Sequence, residues 1–126
     1  IFRAFLEGIA MGTAQVFETY EAIGQNPKKI MAVGGGTKNN IWMQATSDFS
    51  KIDQVVSEKS TGASYGNAFL AALAVGAVSQ RDITRWNPPL SKIKTQHSTL
   101  HAEKNKLFRQ LYESSKEIAH AVADST

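Results

Sequence analysis

The chain contains no cysteine, which excludes a disulfide scaffold and every thiolate metal site and fits a reducing compartment such as the cytoplasm. It also lacks a long hydrophobic run. The most apolar stretch, residues 68–78, is broken by Gly76 and is too short to cross a bilayer, which takes roughly 20 residues. No signal peptide is visible, because Arg3, Glu7 and Glu18 interrupt the first segment. There is no dense basic stripe. The net charge is +3, but Lys28, Lys29, Lys51, Lys59, Arg81, Arg85, Lys92 and Lys94 come in ones and twos without interleaved aromatics. This reads as a solvated surface, so neither a nucleic acid nor a membrane is expected as a partner. An opening methionine is absent as well. The chain begins Ile1-Phe2-Arg3, already in a helical pattern, and the functional unit is expected to be longer than these residues.

What is present suits one folded domain over residues 1–126. Hydrophobic residues make up 42% and charged residues 20%, the balance of a globular chain rather than a disordered one.

Residues 1–24 place Phe2, Phe5, Leu6, Ile9, Thr13, Val16, Phe17, Tyr20 and Ile23 at helical spacing. Gly8 and Gly12 lie four apart within this helix, which points to close approach by another backbone. The run Gly24-Gln25-Asn26-Pro27 ends it. Residues 29–33, Lys-Ile-Met-Ala-Val, suit a buried strand. Next comes a helix at about 39–49, capped by Asn39 or Asn40, with Ile41, Trp42, Ala45 and Phe49 on one side.

Residues 53–57 read as a second strand, followed by a polar turn at 58–61. The alanine-rich helix at 65–78 is apolar nearly all round, which predicts burial. Residues 81–90 look irregular, and 92–95 suit an edge strand. A last helix at about 100–123 aligns Leu100, Leu107, Leu111, Ile118 and Val122 in one seam, to serve as core or as a partner-binding face. Strands alternating with helices predict an α/β fold with a short, mostly parallel sheet flanked by helices. So few strands make a meagre sheet and suggest part of a larger domain.

The chemically informative segment is Gly34-Gly35-Gly36-Thr37-Lys38-Asn39-Asn40, between a strand and a helix. Glycines there let the backbone approach a ligand, and the following helix aims its free amides and positive dipole end at the loop. Phosphate or a nucleotide fits such a turn. A dinucleotide fingerprint lacks its third glycine, because Asn39 stands there, and a Walker loop lacks its Gly-Lys-Ser/Thr ending. A turn that merely joins strand to helix remains the alternative.

The run from Ile30 through Val33, Gly34-Gly35-Gly36, Asn39 and Trp42-x-Gln44-x-x-x-Asp48 resembles the adenosine-binding segment of the FGGY carbohydrate kinases. Arg3-Ala4-x-x-Glu7-Gly8-Ile9-Ala10 resembles that family's preceding helix, and residues 62–68 resemble its Gly-Ala-rich helix. The likeness spans about residues 1–80, weakly also Leu111-Tyr112-Glu113, and its nearest flavour is xylulokinase-like. It implies part of a ribonuclease H-like, actin-like ATPase domain in the C-terminal part of a sugar kinase. It further implies transfer of the γ-phosphoryl group of Mg2+-bound ATP to a sugar hydroxyl.

By the same resemblance Gly34, Gly35 and Gly36 form the nucleotide-binding turn. Gly35 lies against the phosphates, Gly36 keeps the turn tight, and Asn39 bonds the adenine or ribose side. The family's aspartate base belongs to an earlier lobe that nothing here matches. No catalytic residue is therefore assigned, Asp48 and Asp53 are not promoted to the role, and the chain alone is expected to be inactive. A reading from another class is a non-catalytic nucleotide- or partner-binding module, a homodimer formed through the surface the upstream lobe would cover.

Rival patterns are weaker. Gly62-Ala63-Ser64-Tyr65-Gly66 matches G-x-S-x-G, with Asp82 and His97 or His101 in triad order, but polar residues separate it from the strand and Ser64 serves equally as an N-cap. His97 and His101 are four apart without the zinc protease glutamate, so they read as exposed histidines at a helix start. His120 is alone and reads as surface. Trp42 reads as core, and Trp86 is left open.

Overall fold

The computed structural model describes residues 1–59 and 62–125. Ser60 and Thr61 of the expected polar turn lie outside the described residues. The elements are α1 (Phe2–Ala22), β1 (Ile30–Ala32), α2 (Asn40–Ser50), β2 (Gln54–Ser57), α3 (Ala63–Ala74), α4 (Ile83–Trp86), β3 (Pro89–Ile93) and α5 (Thr99–Asp124). Short 3-10 turns occupy Gly35–Lys38 and Gln80–Asp82.

The sheet runs in the order β1-β2-β3. β1 and β2 pair in parallel, Ile30 opposite Gln54, with α2 as the crossover. β3 lies at the edge, as expected, but it pairs antiparallel to β2 and begins at Pro89 rather than at residue 92. Proline is tolerated there because it opens an edge strand. The expected irregular stretch at 81–90 is more ordered than its sequence suggests. Ser79 and Asp82 close a capping box, holding the Asp82 carboxyl below the usual range.

The core lies between α1 and α2, where Ala10 and Ala14 meet Ala45 and Phe49. Small side chains let the two helices approach closely, and burying Phe49 contributes about 1.5–3 kcal/mol. This corrects two expectations. The inward face of α1 is Leu6, Glu7, Ala10 and Ala14, whereas Phe2, Phe5, Ile9, Val16, Tyr20 and Ile23 are exposed. Nor do Gly8 and Gly12 mark the close approach, since a Cβ on either would meet no atom within 4 Å. Alanine performs that role, at Ala10 and Ala14, two positions along the helix from where the glycines suggested.

On α2 the buried positions are Met43, Ala45, Thr46, Ser47 and Phe49, and Ile41 is exposed. A buried polar contact ties this helix to the sheet: Gln54, from β2, donates to the Met43 carbonyl and to Ser47 Oγ at 2.9 Å.

The alanine-rich helix α3 is not buried on all sides. Only Phe69 is buried, and Leu70 and Val75 stand 60% and 80% exposed. What holds α3 is a small aromatic cluster: Trp86 lies 5.6 Å from the Tyr65 ring and 5.4 Å from Phe69, and Tyr65 donates to the Trp86 carbonyl at 2.9 Å. The expected α5 seam also fails as core, because Leu100, Leu107, Leu111, Ile118 and Val122 are all exposed. α5 docks through polar contacts instead. Lys104 pairs with Glu7 at 2.6 Å, Arg109 pairs with Glu18, and the His101 ring meets Phe49 at a tilt, with centroids 5.2 Å apart. Lys104 first and Arg3 second hold the Glu7 carboxyl below its usual range.

Candidate functional site

β1 ends at Ala32, and Val33 leads the chain out of the sheet into Gly34. Gly34 has φ 91° and ψ −178°, a region that side chains other than hydrogen essentially do not adopt. Here the sequence needs glycine for backbone reasons alone. The chain then makes the turn Gly35–Lys38, in which Thr37 donates its amide and its hydroxyl (2.7 Å) to the Gly34 carbonyl. Helical geometry leaves the first amides of such a turn without internal acceptors.

The other two glycines differ from each other. A Cβ on Gly36 would lie 2.9 Å from Cζ3 of Trp42, so the indole closes one side of the turn. Trp42 is thus half-buried against the loop instead of lying in the core. A Cβ on Gly35 would meet nothing within 4 Å. Its open side is where a ligand can come close to bare main chain. Asn39, with extended backbone, accepts from the Trp42 amide at 3.1 Å and caps α2. That engages its Oδ1 as the acceptor of the cap. The four residues singled out from sequence therefore form one continuous turn, each with a distinct local task.

Sequence reasoning missed what Gln44 and Asp48 do. Gln44 donates to the Lys94 carbonyl at 2.9 Å and to Asp48 Oδ1 at 2.8 Å, and the same oxygen accepts from the Gln96 amide at 2.7 Å. Asp53 accepts from the Thr95 amide at 3.1 Å and pairs with Lys92 at 2.9 Å; Lys92 and then Thr95 hold its carboxyl below the usual range. Residues 94–96, between β3 and α5, are thus latched by three side chains, two on α2 and one on the residue that precedes β2. The i, i+4 spacing of Gln44 and Asp48 on one helix face was the available signal.

The rival patterns do not assemble. α3 is capped by Gly62 rather than Ser64, which sits exposed in the first helical turn. Asp82 is engaged by Ser79. His97 and His120 are exposed as expected, but His101 is half-buried on Phe49. No three His, Asp or Glu side chains among the described residues are gathered to hold a metal ion. No helix among them is long and apolar enough to cross a membrane.

The model of the FGGY family of carbohydrate kinases, C-terminal domain, matches residues 1–75. The chain belongs to this family. Among curated FGGY-family relatives it is 31% identical over 74 residues to the xylulose kinase of Bacillus subtilis, covering 59% of this chain and 15% of that one. It is 30% identical over 121 residues to the ribulokinase of Bacillus licheniformis, covering 94% and 22%.

The solved xylulose kinase of Rhodospirillum rubrum superimposes with a TM-score of 0.77 at 23% identity, over 93% of this chain and 25% of that one. The glycerol kinase of Plasmodium falciparum, solved with ADP, does so with a TM-score of 0.69 at 26% identity, over 93% and 23%. The fold is accordingly the α/β, actin-like ATPase fold of these kinases. The chain spans between 15% and 25% of the length of these relatives.

Proposed function

We propose that this chain is the nucleotide-gripping part of an ATP-dependent sugar kinase, which transfers the γ-phosphoryl group of ATP to a sugar hydroxyl in the cytoplasm. The observation that carries the reading is the turn at residues 34–36: a position only glycine can adopt, an open glycine, and a glycine covered by Trp42. This is bare main chain at the carboxyl end of a parallel strand and the start of a helix, where an open α/β sheet binds its ligand. Family membership and the likeness to a glycerol kinase solved with ADP support the same reading.

On this reading Gly35 lies against the phosphates, Gly34 and Gly36 shape the turn, and the Asn39 amide reaches the adenosine side. Phosphoryl transfer rests on positioning and charge stabilisation from both sides of a cleft. Asp48 and Asp53 are already engaged in latching residues 94–96, so the base and the sugar contacts belong to an upstream lobe, and the chain alone binds nucleotide without catalysis. No three His, Asp or Glu side chains among the described residues are gathered to hold Mg2+. The test is titration of the chain with a non-hydrolysable ATP analogue while following its amide NMR signals. Saturable shifts at residues 34–40 are expected, and shifts confined elsewhere would refute the assignment.

A further inference from the structure

We propose that the cavity between the end of α2 and the first turns of α5 is a second ligand site, taking a small molecule that carries a phosphate group and hydroxyls. It is separate from the glycine turn and goes beyond the nucleotide reading. The cavity measures about 250 Å3 and is lined by Phe49, Lys51, His97, Ser98, Asn105 and Lys106, among others.

Asn105 is the telling residue. It is only 8% exposed, its Oδ1 is fully covered, and that atom has no hydrogen-bond partner. His101, one turn earlier on α5 and lining the same cavity, has Nδ1 in the same condition. Buried polar groups are normally satisfied, and one without a partner costs stability unless something completes it. Two such groups on one wall call for a ligand with hydrogen-bonding groups of its own, which meets Asn105 Oδ1 when the amide rotates toward the cavity on binding.

The charge around the cavity selects the rest of the ligand. Lys51 and Lys106 are exposed and form no ion pair among the described residues. Lys51 follows the last residue of α2, and Lys106 lies two turns into α5. The N-terminus of the 26-residue α5, capped by Ser98, adds the positive end of its dipole. Arg109 is paired with Glu18, and Asp48, the carboxylate on the wall, has Oδ1 engaged by Gln44 and the Gln96 amide. A phosphate group between the two lysines meets their free charges, while hydroxyls supply donors and acceptors to Asn105 and His101.

The experiment titrates the isotope-labelled chain with inorganic phosphate and, separately, with glycerol 3-phosphate, at constant ionic strength, following amide signals. Both probes should shift Lys51, residues 98–101 and the Asn105 side-chain amide saturably, with glycerol 3-phosphate binding more tightly. The double variant Lys51→Ala/Lys106→Ala, confined to exposed side chains, should weaken both probes by about tenfold or more. Asn105→Leu should remove the preference for glycerol 3-phosphate and leave phosphate binding in place. If that variant does not fold, the lysine variant still decides. An unchanged affinity in the lysine variant, or shifts no larger than those from sodium chloride, would overturn the proposal. So would shifts confined to residues 34–40, which would leave the nucleotide reading intact.

Discussion

Replacing Gly34, Gly35 and Gly36 one at a time separates what the turn needs in order to fold from what it needs in order to bind. Gly34→Ala forces a side chain into φ 91°, ψ −178°, which costs about 1–3 kcal/mol. Gly36→Ala places a Cβ 2.9 Å from the Trp42 ring. The indole is half-buried and cannot simply swing away, so the strain is about 1–3 kcal/mol. Gly35→Ala meets no atom within 4 Å and has no positive φ, so its stability should change by no more than about 0.5 kcal/mol.

For a chain of this size each kcal/mol moves Tm by about 3–5 °C, so thermal unfolding resolves the first two variants from the third. Nucleotide affinity should sort them in the opposite way. Gly35→Val fills the open side of the turn and should weaken ATP-analogue binding by at least about tenfold, or 1.4 kcal/mol, with Tm nearly unchanged. If Gly35→Val bound as well as the parent chain, or lost as much stability as Gly36→Ala, the turn would be only a joint between strand and helix.

Two further outcomes follow from the packing. Glu7 bridges Arg3 and Lys104 with a depressed pKa; the stability this adds is fully present above the unfolded value, about 4.3, and is lost as pH falls through the lower folded value. Glu7→Gln should therefore cost about 1–2 kcal/mol near neutral pH and flatten the loss of stability below about pH 4.5; an acid profile like the parent's, in urea unfolding, would refute this. Asp48→Ala removes the acceptor of the Gln96 amide and the partner of Gln44, so hydrogen exchange should accelerate at Gln96 and in the first turn of α5, with about 1–3 kcal/mol lost. Unchanged protection there would mean that the latch does not hold α5.

The sequence made some features plain because they are local. The helix at the N-terminus, its stop near Gly24, the Asn39 cap and the strand-turn-helix at residues 30–50 all follow from rules acting within a few residues. The turn was legible for the same reason: φ at Gly34 and the crowding at Gly36 depend on near neighbours. Which face of a helix points inward is not local. In α1 the large apolar residues predicted one face, of which the structure buries Leu6, and Glu7, Ala10 and Ala14 complete the inward side in place of Phe2, Phe5, Ile9, Val16 and Tyr20. In α5 the leucine seam is exposed, and polar contacts hold the helix. Periodicity reports that a face is apolar without saying which neighbour covers it. The latch at residues 94–96 was hidden because its partners lie 42–50 positions apart in the chain.

The two glycines of α1 test that distinction between local and non-local demands. The Gly-x-x-x-Gly spacing suggested tight helix packing, yet Gly8 and Gly12 have open space where a Cβ would go. In a helix interior each glycine is about 0.5–1 kcal/mol worse than alanine, through unfolded-state entropy. Gly8→Ala and Gly12→Ala should therefore each stabilise the chain by about that amount. Ala10→Leu, in contrast, inserts three carbons at a site with no exposed surface, facing Ala45 and Phe49, and should destabilise by about 1–3 kcal/mol or more. Urea unfolding of the three variants decides the matter. If the glycine variants lost stability and Ala10→Leu were tolerated, the α1–α2 contact would run through the glycines after all, and the helix would be rotated from the face described.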